Sequence, residues 1–147
     1  MSSGIHVTSG FSGFQFQNTT NITFSDTTIV NCGTSYDAWG GELGAIDVEA
    51  AQTVVHNINF TNIDVINAQR DGIALGFSGG LNGLQFTNVT VNGAGLDGIS
   101  TSKFTQAHLG VGIKTYAAGA ATFTNFQYSN CAGGELWNQG GFVLTFN

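Results

Sequence analysis

The sequence has no proline and little charge. Its 147 residues include three basic residues, nine acidic residues, two cysteines and one methionine. Lys, Glu, Arg and Met favour helices and are scarce here, whereas Thr, Asn, Val, Ile, Phe and Gly are plentiful. That composition predicts one domain of strands joined by tight turns. The aromatic and aliphatic content is too high for a disordered chain.

The scarcity of basic residues argues against nucleic acid and anionic membranes as partners. The net charge is −6, and no basic patch interrupts the acidic surface. Such a surface repels nucleic acid and anionic lipid. No apolar run approaches the roughly 18 residues that span a bilayer. We therefore expect neither a nucleic-acid partner nor a membrane partner.

The first residues lack the basic and apolar segments of a secretory leader. Met1-Ser2-Ser3-Gly4 leads straight into a strand pattern at residue 5. The chain is thus either cytoplasmic, or a domain or module whose leader and flanking parts have been removed. The abrupt start favours the second interpretation.

A strand motif with a central phenylalanine and a following Asn or Asp recurs along the chain. Its copies are Ile22–Asp26, Ile58–Asn62, Leu84–Asn88 and Ala121–Asn125. A second limb of alternating apolar residues follows three of the copies. This alternation predicts strands with one buried face.

A second strand class alternates with the first and has a Gly/Ala-Ile start. We assign to it the strands at Ile5, Ile46, Ile73, Ile99 and Ile113, with Phe142 closing the series. Repeats that cannot bury their apolar face alone must stack on their neighbours. The sequence therefore predicts an all-β, single-stranded right-handed parallel β-helix of about four to five coils across residues 1–147. An antiparallel sandwich is the competing architecture.

The asparagines and cysteines occupy equivalent repeat positions. Asn62, Asn88 and Asn125 are predicted to stack in an amide ladder. Cys32 and Cys131 are predicted to lie three coils apart, roughly 14 Å, which is too far for a disulfide. They are interpreted as small buried residues, or as intermolecular neighbours if molecules stack end to end.

Two carboxylates occupy matching places in neighbouring repeats. Asp47 follows Ile46, and Asp71 lies two residues before Ile73. If Ile46 and Ile73 align, the aspartate backbones lie on the order of 10 Å apart. Side chains that lean together would reach the separation of about 6.5–9.5 Å that an inverting glycosidase uses, with one acid and one base. The alternative is structural, because an aspartate before Gly commonly makes an Asx turn, and the Asp-Gly-Ile triplet occurs again at Asp97.

Several other residues are candidates for substrate binding. Trp39 lies in the segment that leads to Asp47, and exposed aromatic rings suit sugar stacking. Glu49 is expected on the same face as Asp47. The histidines lack metal-ligand spacing, so no metal site and no cofactor are predicted. The predicted substrate-binding set is Trp39, Glu49, Arg70, Asp97, His108 and Lys114.

The segments Gly41–Ala50 and Ala68–Ile73 resemble the parallel β-helix of the α-1,3-glucanase and mycodextranase family of glycoside hydrolases. Gly110–Thr115, followed by Phe123-Thr124-Asn125, resembles the Ile-Lys-Thr strand of polygalacturonase-type helices. The resemblance covers roughly residues 40–130. It implies secretion and inverting endo-hydrolysis of α-1,3-glucan, with Asp47 and Asp71 as catalytic carboxylates. A third carboxylate is implied directly before Asp71, where this sequence has Arg70.

Two other functions are consistent with the same pattern. The first is a non-catalytic solenoid that assembles head to tail through uncapped ends, because open strand edges are exposed there. The second is a carbohydrate-binding module without turnover. The corresponding partners are a polysaccharide in the enzymatic and sugar-binding cases and a second copy of the chain in the structural case.

Overall fold

A computed structural model describes residues 5–8, 13–17, 19–33, 44–49, 55–76, 80–95, 111–115, 119–132, 134–138 and 142–147. All the regular elements in these ranges are strands, and none of the described residues forms a helix that could cross a membrane. The eleven strands are β1 (Ile5–Thr8), β2 (Phe14–Gln17), β3 (Thr20–Val30), β4 (Ile46–Glu49), β5 (Val55–Ala68), β6 (Ile73–Gly76), β7 (Leu81–Ala94), β8 (Val111–Thr115), β9 (Gly119–Cys131), β10 (Gly134–Asn138) and β11 (Val143–Phe146).

The strands form two sheets, and every strand pair is parallel. The long-strand sheet has the order β1-β3-β5-β7-β9-β11, and the short-strand sheet has the order β10-β8-β6-β4-β2. The chain alternates between the sheets from β2 to β11. This arrangement confirms the all-β prediction and is compatible with a β-helix or solenoid. The antiparallel sandwich is excluded for the described strands, whereas handedness and coil number remain predictions.

The repeated motif sets the register of the long-strand sheet. Phe24 pairs with Phe60, Phe60 with Phe86, and Phe86 with Phe123. The rings of Phe60, Phe86 and Phe123 are fully buried and stack nearly parallel, with centroids 4.6 Å apart at both steps. Identical side chains therefore form a continuous aromatic column through the core.

Left-handed bends recur every five residues along the long strands. They fall at Asn21 and Asp26 in β3 and at Asn31 directly after it, and at Asn57, Asn62 and Asn67 in β5, all with φ between 53° and 57°. Asn and Asp tolerate this conformation better than other side chains, and Gly tolerates it freely. The bends divide each long strand into a first limb before the central bend and a second limb after it.

The amide ladder is confirmed at the central bend. Asn125 donates to Asn88 at 2.9 Å, Asn88 to Asn62 at 3.0 Å, and Asn62 to Asp26 at 2.9 Å. Asn88 and Asn62 thus each accept from one neighbour and donate to the other. Asp26 ends the ladder because a carboxylate can only accept.

The cysteine column is also confirmed. Ala68 pairs with Ala94, and Ala94 pairs with Cys131. The Gly95 amide donates to the Ala68 carbonyl, and in the same way the Gln69 amide donates to the Cys32 carbonyl, which places Cys32 next to Ala68. Cys32 and Cys131 therefore stand at equivalent places three repeats apart, and both are thiols.

Two strand assignments made from the sequence are wrong. The strand at Ile5 belongs to the long-strand sheet, where Ile5 pairs with Thr27. The strand after Phe142 also joins that sheet, where Leu144 pairs with Ala121. A Gly-Ile or Gly-Phe start is compatible with either sheet, so long-range pairing decides the outcome. Residues 99–101 lie outside the described residues.

The Asp26 carboxylate makes an acid-sensitive contribution to stability. Hydrogen bonds from Asn62 and Ser25 hold its pKa below the ordinary value of 3.8, because they stabilise the charged form. The contribution is complete above that value and is lost as pH falls through the lower folded-state pKa.

Asp26→Asn removes the titrating group but keeps an oxygen that Asn62 can bond. We expect the parent to have the higher Tm at neutral pH and the difference to shrink below about pH 4. Thermal unfolding of both proteins against pH checks this. A difference that stays constant into the acid range would contradict it.

Candidate active site

The predicted alignment of the two aspartate-bearing segments is confirmed. Ile46 pairs with Ile73, and Asp47 pairs with Ala74. Upstream of these strands, the Ala45 amide donates to the Asp71 carbonyl at 2.9 Å. Asp71 therefore lies just before β6, the strand neighbouring that of Asp47, and is offset from Asp47 by three residues along the chain direction. This is the geometry from which a backbone separation on the order of 10 Å follows.

Both aspartates are buried. Asp47 is 2% exposed and Asp71 is 0% exposed, while the adjacent core residues Ile46 and Ile73 are also fully buried. Alternation directs Asp47 away from the core side occupied by Ile46, so both faces of this sheet region are covered. Two buried carboxylates are costly in free energy unless polar groups surround them.

Gln15 is a contact of Asp47 that the sequence reasoning missed. Its Nε2 donates to Oδ2 of Asp47 at 3.3 Å, across the pairing of β2 with β4. The Phe14-Gln15-Phe16 pattern matches Ile46-Asp47-Val48, so aligning these two segments would have found it. This hydrogen bond ties the Asp47 carboxylate to the neighbouring strand β2.

Arg70 is buried, as is Asp71. It is 7% exposed and directly precedes the aspartate in the segment between β5 and β6. Both residues interact with neighbouring groups. The sequence order is thus Arg70-Asp71 where the resemblance implies two acids.

The short-strand sheet places polar residues in one row. Gln15 pairs with Asp47, Asp47 with Ala74, Ala74 with Lys114, and Lys114 with Trp137. Parallel strands are about 4.8 Å apart, so this row crosses five strands over roughly 19 Å. This register brings the backbone of Lys114 into the same row as Asp47.

The segment before β4 makes a tight backbone contact with β6. A Cβ atom added at Gly44 would lie 2.8 Å from the Ala74 nitrogen and 3.1 Å from the Ala74 Cβ. Only glycine therefore allows the segment before β4 to pack this closely on β6. The contact holds the segment before β4 close to β6, next to Asp47 and Asp71.

The remaining predicted site residues are placed only in part. Glu49 is on β4, where its backbone pairs with Gln17 and Gly76. Trp39, Asp97 and His108 lie outside the described residues, so their substrate-binding roles stay predictions. Within the described ranges, no group of three or more His, Cys, Asp or Glu residues could hold a metal ion.

Comparison with solved structures finds a relative of similar fold and sequence. The chain is similar to the crystal structure of the Agl-KA catalytic domain, with 43% sequence identity and a TM-score of 0.82 over 92% of this chain. It spans 26% of that protein's length. No protein-family model and no curated protein matched the chain. The chain is therefore similar in fold and in sequence to about a quarter of a catalytic domain.

Proposed function

We propose that this chain forms part of an extracellular glycoside hydrolase that cleaves α-glucan with inversion, using Asp47 and Asp71 as its carboxyl pair. The observation that carries the proposal is the placement of two buried carboxylates, with Asp47 on β4 and Asp71 two residues before the neighbouring parallel strand β6. The likeness to the Agl-KA catalytic domain supports it at 43% identity. The resemblance of residues 41–50 and 68–73 to α-1,3-glucanases supports the choice of substrate.

The local environments support different roles for the two acids. Arg70 precedes Asp71 and favours its charged form, which suits activation of water by a general base. With Asp71 as the base, Asp47 is the acid that protonates the leaving oxygen. Such a division needs one group protonated and one ionised at the working pH.

The row of paired residues that crosses the short-strand sheet supports a binding path for the polysaccharide. A glucan chain laid across the strands would meet the positions of Gln15, Asp47, Lys114 and Trp137 in turn. Amide and ammonium groups donate to sugar hydroxyls, and indole rings stack on sugar faces. Both aspartates are buried, so a substrate reaches their carboxylates only when the groups that cover them shift.

The test is release of reducing ends from insoluble α-1,3-glucan and from dextran. Asp71→Asn keeps the shape of the side chain but removes the base, and we expect release to fall by about 10²–10⁴-fold. Asp64→Asn is the matched control, because Asp64 is an exposed aspartate on the long-strand sheet.

Release by the parent and by Asp64→Asn, but not by Asp71→Asn, would support the proposal. Absence of release from the parent would contradict it. Retention of the parent on insoluble glucan without release would instead indicate a carbohydrate-binding module.

A further inference from the structure

We propose that Gln15 is a positioning residue for catalysis, and that it selects the oxygen of Asp47 that carries the proton for the leaving group. The inference rests on the proposed function, in which Asp47 is the general acid, and adds to it a residue from β2. It is carried by the contact between the two side chains, by the packing that holds β2 on β4, and by the chemistry of a carboxyl group that accepts a hydrogen bond.

Gln15 and Asp47 are neighbours across two parallel strands. β2 pairs with β4 so that Gln15 lies opposite Asp47. Nε2 of Gln15 donates to Oδ2 of Asp47 at 3.3 Å. Asp47 is 2% exposed, so this amide is one of the polar partners that a buried carboxyl group requires. The Gln15 side chain therefore contacts the proposed acid at one defined oxygen.

The packing of β2 directs Gln15 to the face that Asp47 occupies. Phe14 and Phe16 flank Gln15 in sequence and both pack against the hydrophobic core. The ring centroid of Phe24 lies 4.3 Å from that of Phe14 and 5.5 Å from that of Phe16. Because side chains alternate along a strand, two inward rings turn the residue between them to the opposite face.

Main-chain contacts at the start of β2 hold the same register. The amides of Gly13 and Phe14 both donate to the Ala45 carbonyl, at 2.8 Å and 3.1 Å. A Cβ atom added at Gly13 would overlap Cγ2 of Ile29 and would lie 2.7 Å from the Ala45 carbonyl oxygen. Glycine therefore allows the start of β2 to pack directly on the segment that leads into β4.

The hydrogen bond selects the oxygen of Asp47 that carries the proton. A protonated carboxyl group has a carbonyl oxygen, which accepts hydrogen bonds, and a hydroxyl group, which donates. Because the Gln15 amide donates to Oδ2, that oxygen takes the carbonyl role and the proton lies on Oδ1. The transferable proton is thus held on the oxygen that Gln15 does not contact.

The same contact strengthens as the proton leaves. In the reaction the Oδ1–H bond of Asp47 breaks and its proton goes to the glycosidic oxygen, whose bond to the anomeric carbon breaks. Asp71 accepts a proton from the water that adds to the anomeric carbon. A hydrogen bond to a carboxylate is stronger than one to a neutral acid, so Gln15 stabilises the charge that forms on Asp47. An interaction that grows towards the transition state raises kcat.

The test compares two substrates that differ in how far the leaving group needs a proton. One is an α-1,3-linked glucan oligosaccharide, whose sugar leaving group requires protonation. The other is its 2,4-dinitrophenyl α-glycoside, which releases a stable anion. Gln15→Met keeps the length of the side chain and removes the donor, and Gln85→Met is the matched control at an exposed position of β7. Circular dichroism and Tm establish that both variants keep the fold.

We expect Gln15→Met to lower kcat on the oligosaccharide by about tenfold, the effect of one lost hydrogen bond, with a smaller change in KM. Release of dinitrophenolate should change by less than about twofold, because that leaving group needs little help from an acid. Gln85→Met should match the parent on both substrates. A Gln15→Met variant that equals the parent on the oligosaccharide, or that is equally slowed on both substrates, would overturn the proposal.

Asp47→Asn and Asp71→Asn separate a failure of this inference from a failure of the proposed function. Asp47, as the acid, is needed mainly for the oligosaccharide, whereas Asp71, as the base, is needed for both substrates. If the two variants show these patterns and Gln15→Met does not share that of Asp47→Asn, the positioning role alone is overturned. If the parent cleaves neither substrate, or if Asp47→Asn is impaired on neither, the proposed function fails and the role of Gln15 fails with it.

Discussion

Asp47→Asn is expected to lower kcat on a soluble α-glucan oligosaccharide by about 10²–10⁴-fold, with a smaller change in KM. Asparagine keeps the shape of the side chain and its capacity to bond Gln15, so the fold should be retained. The variant lacks the proton that the leaving oxygen requires. A loss confined to kcat reports an interaction made in the transition state rather than in binding.

A double variant makes this prediction sharper. If Asp47 and Asp71 act as one unit, Asp47→Asn combined with Asp71→Asn should be scarcely slower than either single variant. Independent roles in folding would give additive effects on Tm and no selective effect on kcat. An unchanged kcat in Asp47→Asn would remove Asp47 from the catalytic pair.

The second large effect is on stability. Phe86→Ala is expected to lower the free energy of unfolding by about 3–5 kcal/mol, since it removes a fully buried ring. Phe86 stacks on Phe60 and on Phe123, each at 4.6 Å, so the change also breaks both contacts of the aromatic column. A loss of this size is a large fraction of the roughly 5–15 kcal/mol by which domains are stable.

Urea denaturation at low protein concentration measures the effect, with Phe86→Leu as the control. Leucine retains most of the buried volume, so its cost should stay below about 1.5 kcal/mol. Equal losses in the two variants would contradict this, because they would show that the ring contacts, and not the buried volume, carry the stabilisation. A change in the slope with urea would indicate that the repeats no longer unfold together.

The long-strand register could be predicted from the sequence because local and global signals agree. Phe24, Phe60, Phe86 and Phe123 are each followed two residues later by Asn or Asp, and each pair of residues fixes both a buried column and a bend. The strands at Ile5 and Phe142 could not be assigned in this way. Their local pattern suits both sheets, and the partner strand is chosen by contacts distant in sequence.

The site was predictable in its alignment but not in its environment. Matching Ile46 with Ile73 was sufficient to place Asp47 on β4 and Asp71 at the entry to the neighbouring strand β6. Alternation indicates that Asp47 leaves the core side of its sheet, but it does not indicate what covers the other side. The near-complete burial of Asp47 and Asp71 therefore had no signal in the sequence.

The five-residue spacing of the left-handed bends governs where this chain can change length. Successive ladder residues are 36, 26 and 37 positions apart, yet the bends keep the same spacing within β3 and β5. Insertions and deletions are therefore confined to the segments outside the long strands. Peptides grafted into the segments that connect the two sheets should therefore be accommodated. A single residue inserted between Asn57 and Asn67 would instead shift one limb of β5 by one position and turn its buried side chains outward.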